Sequence, residues 1–489
     1  MNIFNILKKN ALKFPGKNAL IIDEEIYSYD KFYKLVVQTI QNLKKNKFKQ
    51  NSVVIIVEDN TLPHILSLFA LSYLNATIVP TSTYYSNDHL LDIIKISKAD
   101  SIIGSYKYCN FFKKKSLIKF FLCTDRDKKF SFFFQKQFFS SIPKCKSNNN
   151  KDFIITMSSG STAKPKPIVY SQNTKIIRFK LFKNLYKVNQ DDTVIVTSPI
   201  DHSLGMRTLY VPLLVGGTCV VMNKFTVNMY FSLIKKYNVT FSVLVANQIQ
   251  ELTKDKNFKN FYLRKGLVSA SAKLFDSVKK KIIKKKINLY EMYGAAEIGT
   301  VTSINLSKNK KKAKSVGNSY HNKILIKIIS SKNKPLPLNK IGEIACKTPG
   351  IFKNYLSSKT LNSNAFIKGF FKTGDVGYLD KDKYLYFLSR KKYIFRRSGI
   401  TIYPEDIEKI FLKDKKVKEV AVVGKETKLH SNLYIFMKKN KGLDETYVKE
   451  MCLKKLSTFQ LPNEIIFLEN LPKTSLGKIN KIKLLSFIR

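Results

Sequence analysis

The spacing of apolar positions changes period along the chain and so predicts elements before any chemistry is considered. Ala19-Leu-Ile-Ile-Asp23 is a short apolar run of strand type, and Asp30–Leu43 places Phe32, Leu35, Val36, Ile40 and Leu43 at helical spacing. Ser52–Val57 reads as strand, Pro63–Leu74 as helix and Ala76–Val79 as strand again. This alternation is the rhythm of a layered α/β domain. Residues 105–150 interrupt it: they are rich in Phe and Lys and end in Ser147-Asn-Asn-Asn150, an expected exposed loop and subdomain boundary. The α/β pattern resumes at Asp152 and continues to residue 300, after which Lys323–Cys346 and Lys383–Leu388 are strand-rich. Beyond Lys392 the pattern predicts a small α+β unit. Pro404 opens a helix with Ile407, Ile410 and Phe411 on one face. Val417–Val423, Leu433–Met437 and Glu464–Leu468 are strand candidates and Thr446–Leu456 a helix candidate.

Composition narrows this picture. The 489 residues, 44% of them hydrophobic, are ample for more than one buried core and argue against wholesale disorder. Lys and Arg total 87 against 35 Asp and Glu, a formal net charge of +52, which by itself invites a nucleic-acid or anionic-membrane reading. The excess is spread evenly, however: residues 392–489 hold 21 basic and 11 acidic residues, much the same balance as the rest. With Lys, Asn, Ile, Phe and Tyr all plentiful and Trp absent, a biased coding composition accounts for it better than a selected polyanion partner. Runs such as Lys279–Lys281, Lys284–Lys286 and Lys310–Lys312 are expected as solvated faces or loops. Six cysteines without a CxxC pair indicate neither zinc nor a disulfide framework and fit a reducing, cytoplasmic setting. The N-terminal residues lack a signal-peptide core, and the most apolar stretch, Leu62 to Pro80, is interrupted by Pro63, His64 and Asn75, so no transmembrane segment is expected.

Chemistry enters at Asp152–Met157, an apolar strand running into Ser158-Ser-Gly-Ser-Thr-Ala-Lys-Pro-Lys166. Backbone N–H groups, hydroxyls and ammonium groups are the donors that polyphosphate oxygens need, although the Walker spacing is missing. Alone, such a loop is more often a flexible turn. It is followed by Ser198-Pro-Ile-Asp-His-Ser-Leu-Gly205, Ser269-Ala-Ser-Ala272, Tyr293-Gly-Ala-Ala-Glu297, Thr373-Gly-Asp375, Arg390, Ser398-Gly399, Tyr403–Glu408 and Leu471–Lys478. In this order and spacing the series resembles the adenylate-forming (AMP-binding) superfamily, which includes acyl-CoA synthetases, aryl-CoA ligases, firefly luciferase and carrier-loading adenylation domains. The resemblance covers essentially the whole chain and is closest in character to acyl- and aryl-CoA ligases.

The resemblance implies a large N-terminal region of packed α/β subdomains with a strand-rich part, residues 1–391, and a small mobile α+β lid, residues 392–489, hinged at Lys392. It implies ATP-dependent activation of a carboxylic acid, fatty or aryl, to an acyl-adenylate, then transfer to the thiol of coenzyme A or of carrier-bound phosphopantetheine. Ser158, Ser159, Gly160, Ser161, Thr162 and Lys166 would line the triphosphate, and Ser271, Tyr293 and Gly294 the adenine. Asp375 would accept from two vicinal ribose hydroxyls, with Arg390 adding a cation; a turn Asp and a surface Arg are the plainer alternatives. Glu297 would hold Mg²⁺ beside the phosphates, against an exposed Glu at a helix start. Lys478 would neutralise charge as the carboxylate attacks the α-phosphorus; His202 would orient the acid; Gly399 would reach the site once the lid turns. Four positions depart from the family pattern without touching the charged anchors: Ala163, Pro167, Ala296 and Ser389, with Asp406 a fifth in the hinge stretch. Two rival readings stay open: an inactive binding-only relative and, from charge alone, a polyanion-binding protein.

Overall fold

The computed structural model describes residues 2–126, 129–134, 150–157, 166–272, 274–356, 358–397, 400–426, 431–474 and 478–488. Its contacts group into two compact units. The first comprises Met1–Ser158, Lys166–Lys311 and Thr348–Ser363, the second Lys312–Lys347 and Asn364–Arg489.

Two sheets organise the first unit. One, seven-stranded, runs in the order Asn354–Tyr355, Pro167–Ser171, Asp152–Met157, Thr77–Thr81, Val53–Val57, Ser101–Gly104, Phe120–Cys123. From Asp152–Met157 to Phe120–Cys123 all neighbours are parallel. Strands buried on both faces need continuous apolar runs, which is why Val53–Val57 reads Val-Val-Ile-Ile-Val. The subdomain boundary expected at Ser147–Lys151 is not one: Ile154 pairs with Ile78, so a single sheet continues across it. Residues 147–149 lie outside the described residues.

The other sheet places Glu25–Ser28, Asn18–Ile22, Thr218–Val221, Thr193–Val196, Phe241–Val245, Gly266–Ala270, Leu289–Ala295 and Gly299–Asn305 side by side. It is parallel except for the hairpins at its two ends. The apolar stretch beginning at Leu62 is a core helix, Leu62–Leu74, buried at every position from His64 onward. Among the described residues no helix is long and apolar enough to cross a membrane.

In the second unit Leu325–Ile329, Gly342–Lys347, Phe366–Ile367, Phe370–Leu379 and Leu385–Arg390 form an antiparallel sheet. C-terminal to it, Val420–Glu426, Ser431–Lys438 and Glu464–Leu468 form a three-stranded sheet. Ile407 and Phe411 from the helix Pro404–Phe411, and Met451 from Glu445–Lys455, share one apolar core with Val422 and Ile435. The α/β body and small α+β end are thus the classes the spacing predicts.

The lysine runs are not uniformly solvated. Lys279 is buried, 3% exposed, because Glu291 lies 2.6 Å from its Nζ on the neighbouring strand. Lys312 is paired with both Asp380 and Asp382 at 2.6 Å.

Candidate active site

The hairpin between Leu289–Ala295 and Gly299–Asn305 carries Tyr293, Gly294 and Glu297. A Cβ on Gly294 would meet the Gly299 carbonyl oxygen at 2.0 Å, so only glycine allows the two strands to close this far. Tyr293 is buried in its strand and Gly294 is exposed beside it. Glu297 sits in the connecting turn rather than at a helix start. Two side chains hold its turn: Arg178 donates from Nη1 to the Ala296 carbonyl and from Nη2 to the Glu297 carbonyl, both 2.8 Å, and from Nε to Gly350 at 2.6 Å. The Tyr170 hydroxyl donates to the Ala296 carbonyl as well, at 2.8 Å. Residue 296 is therefore fixed through its backbone, and an alanine there keeps the turn.

The Glu297 carboxylate accepts from the Tyr355 hydroxyl at 2.8 Å, and Lys166 stands 6.0 Å from the Tyr355 ring centre. Lys166, Tyr355 and Glu297 are thus brought together from three separate segments of one unit. Tyr355 was not legible as a site residue, being one of 25 tyrosines in a two-residue strand. Pro167 opens the strand Pro167–Ser171, a position where a missing N–H is tolerated. Ser158, Ser159, Gly160, Ser161 and Thr162 lie outside the described residues, as does Ala163.

His202 is the N-cap of the helix Ser203–Val215, buried, with Nε2 3.8 Å from Asp201 Oδ2. The last glycine of its motif has a packing cause: a Cβ on Gly205 would lie 2.1 Å from the Pro199 carbonyl oxygen. Asn60, which sequence reasoning missed, sets the loop before His202. It donates to the carbonyls of Ser198 and Met222 at 3.2 and 2.9 Å, and its Oδ1 accepts from the Ile200 N–H at 2.8 Å. Ser271 follows the strand Gly266–Ala270 with φ +72°, a left-handed conformation that a non-glycine residue adopts at a cost. It is exposed there.

In the second unit Asp375 and Arg390 are cross-strand partners on Phe370–Leu379 and Leu385–Arg390, with Arg390 Nε 2.9 Å from Asp375 Oδ1. Asp375 is a strand residue, 3% exposed, not a turn Asp. Its orientation is braced by the Thr373 hydroxyl, which accepts from the Asp375 N–H at 3.1 Å and donates to the Ile344 carbonyl at 2.8 Å. Arg390 also donates from Nη1 to the Thr373 carbonyl at 3.1 Å. Ser389, in place of glycine, is fully buried opposite Val376, where the pairing shifts register before Gly377. Asp406 lies in the first turn of Pro404–Phe411, where a negative charge suits the helix dipole.

Lys478 closes a tight loop: its N–H donates to the Thr474 hydroxyl at 3.3 Å and its carbonyl accepts from the Thr474 N–H at 2.7 Å. Lys478 is an exposed residue; the protein packed around its ammonium, with nearby Arg390, lowers its pKa while Asp375 acts to raise it. The second unit thus groups Asp375, Arg390 and Lys478, which are far apart in sequence. Gly399, like Ser398, lies outside the described residues.

A single carboxylate, Glu297, beside a lysine-bearing segment is a donor set that fits Mg²⁺ completed by phosphate oxygens. Among the described residues no group of three or more His, Cys, Asp or Glu could hold a metal by itself.

Comparison with known proteins agrees with this arrangement. The chain is 24% identical to the uncharacterized acyl–CoA ligase YhfT of Bacillus subtilis (strain 168), over 98% of this chain and 97% of that protein. It is 25% identical to the 2-succinylbenzoate–CoA ligase of Listeria innocua over 98% of each. Among solved structures, the o-succinylbenzoate CoA synthetase of Bacillus subtilis in complex with its acyl-adenylate intermediate superposes with a TM-score of 0.89 at 19% identity, covering 98% of this chain and 97% of that one, and so shares the fold. The AMP-binding enzyme model matches residues 7–356, and the AMP-binding enzyme C-terminal domain model matches residues 406–478. The chain belongs to the AMP-binding enzyme family.

Proposed function

We propose that this AMP-binding enzyme joins a carboxylic acid to a pantetheine thiol in two steps, through an acyl-adenylate. The observation that carries the reading is the convergence of Asp375, Arg390 and Lys478 within one unit, with Asp375 buried and braced for a fixed acceptor geometry. Asp375 accepts from the ribose hydroxyls of ATP, and Arg390, 2.9 Å away, orients that carboxylate. Glu297, held by Tyr355, is the carboxylate that takes Mg²⁺, which when bound supplies charge neutralisation at the phosphates. Lys478 places its ammonium where the acid's carboxylate meets the α-phosphate, offsetting the repulsion between two anions. His202 orients the acid from the head of its helix.

Pyrophosphate leaves in the first step, and in the second the thiol sulfur attacks the acyl carbonyl as AMP departs. We place the turning point between the steps at Lys392, with 1–391 as the adenylating body and 392–489 as the lid that withdraws Lys478 and presents Gly399. CoA is the thiol this reading favours, with carrier-bound phosphopantetheine as the alternative acceptor. Cytoplasmic residence fits the free thiols of Cys109, Cys123, Cys219, Cys346 and Cys452.

The test is acid-dependent exchange of pyrophosphate into ATP across fatty, aryl and amino acids, followed by CoA against a carrier protein as acceptor. Lys478→Ala should lower exchange by about 10²-fold or more while leaving thiolysis of supplied acyl-adenylate in place. Absence of exchange with every acid of the panel would sink the enzyme reading and leave a binding-only relative.

A further inference from the structure

The helices Gln172–Tyr186 and Ser203–Val215 enclose a small cavity lined by Lys175, Arg178, Ser203, Met206, Arg207 and Tyr210. With Phe179 the lining comprises seven residues, of which three are cations. Arg178 is committed to the three carbonyls that hold the Glu297 turn. Arg207 donates to the Thr300 hydroxyl and lies 5.4 Å from the Phe182 ring centre. Lys175 is buried, 8% exposed, and packs its Nζ 3.7 Å from the Tyr170 ring centre, with no ion pair to any described residue. Burial holds its pKa well below the usual lysine value, and repulsion by Arg178 and Arg207 lowers it further. Tyr210, 4% exposed, has a hydroxyl with no hydrogen-bond partner among the described residues.

A buried cation without a counter-charge costs several kcal/mol, and a buried hydroxyl without a partner about 1–3 kcal/mol. Water could satisfy the hydroxyl but not the charge. An anion satisfies both. The cavity adjoins the residues proposed above to handle the acid: Ser203 and Met206 lie on the helix that His202 caps, and Arg178 and Arg207 reach the hairpin that carries Glu297.

We propose that the acid substrate bears a second, distal carboxylate, which enters this cavity and is held by Lys175, Arg207 and the Tyr210 hydroxyl. The inference rests on the acid-activating function proposed above and narrows it: the substrate, aliphatic or aryl, is a dicarboxylate. One carboxylate goes to the α-phosphate, and the other neutralises the buried cations. A monocarboxylate of equal length leaves Lys175 uncompensated and adds apolar atoms against it.

The experiment compares matched acids in the pyrophosphate exchange assay: butyrate with succinate, hexanoate with adipate, benzoate with phthalate. The wild-type chain should favour at least one diacid over its monoacid partner by about 10- to 100-fold in kcat/KM, the size expected for a charge-assisted contact. Lys175→Met should reverse that order by raising activity on the monoacid as it loses the diacid, a gain that a merely destabilised variant cannot produce. Tyr210→Phe should weaken the diacid preference without reversing it. Exchange with monoacids at least as good as with every matched diacid overturns the inference and leaves the ligase reading standing. Exchange with neither kind overturns both.

Discussion

Lys175 is the residue whose setting stability alone explains least. Burial and two neighbouring guanidinium groups lower its pKa, so between that lowered value and the usual 10.5 the unfolded chain holds more protons than the folded one. Stability should therefore rise with pH through that window, and the full penalty remains at pH below it. Lys175→Met removes the penalty. The variant should be more stable than wild type in urea denaturation at pH 7, and the gap should shrink as pH approaches 10.5; a gap independent of pH would show that folding does not depress the Lys175 pKa. The neighbouring Arg178 has the opposite character, since it donates to three backbone carbonyls, two of them in the Glu297 turn. Two cations on one helix, at i and i+3, thus divide into one that builds the site and one that waits for a ligand.

At the level of elements, the first and last helices of residues 392–489 are tied by charge. Lys481, on Lys481–Leu485, lies 2.7 Å from Glu408 and 3.6 Å from Glu405, both on Pro404–Phe411, and its side chain is only 11% exposed. Burial opposes the ammonium, but the two carboxylates prevail and its pKa is raised. Glu408 also accepts from the Val422 N–H at 2.7 Å, linking the helix to the three-stranded sheet. Removing one partner of a pair this buried leaves the other uncompensated, so Lys481→Ala should cost roughly 3–5 kcal/mol, read as a lower urea midpoint for the C-terminal unit. A shift under about 1 kcal/mol would mean the pair is screened like a surface one.

Elements with a clean apolar period were legible: the helix Pro404–Phe411 opens at Pro404 as the spacing predicts, and Glu464–Leu468 begins and ends where it is placed. The strand Phe370–Leu379 was not read, because Gly374, Asp375 and Gly377 break its alternation. Each break has a tertiary cause. Gly374 takes φ +69°, Asp375 turns to Arg390, and a Cβ on Gly377 would lie 2.2 Å from the Tyr386 carbonyl oxygen. Val417 was assigned to a strand that starts at Val420; it is buried in the same core but its N–H bonds the Asp414 carbonyl in the preceding turn. Charged anchors in motifs could be named from sequence, whereas Tyr355, Asn60 and Arg178 could not. Their importance comes from backbone carbonyls and side chains that only folding brings near them.

For the whole molecule, the net charge of +52 acquires local meaning only where burial strips it of solvent, as at Lys175, Lys279 and Lys481. The same even spread of charge makes sequence-selective nucleic-acid binding a poor account of the chain. Function at this scale depends instead on one chain serving two reactions in turn. If the lid of 392–489 must turn after the first step, the backbone at Lys392 has to change conformation between them. That residue sits in a short 3₁₀ turn, Lys391–Tyr393, immediately after the strand that ends at Arg390. Lys392→Pro fixes φ near −65° and removes one donor, restricting the turn without altering Asp375, Arg390 or Lys478. Pyrophosphate exchange should then persist within about threefold of wild type while thioester formation falls by about tenfold or more, because only the second reaction needs the turned lid. Equal losses in both reactions would place the pivot elsewhere, and no loss in either would mean that thiol transfer requires no turn at this residue.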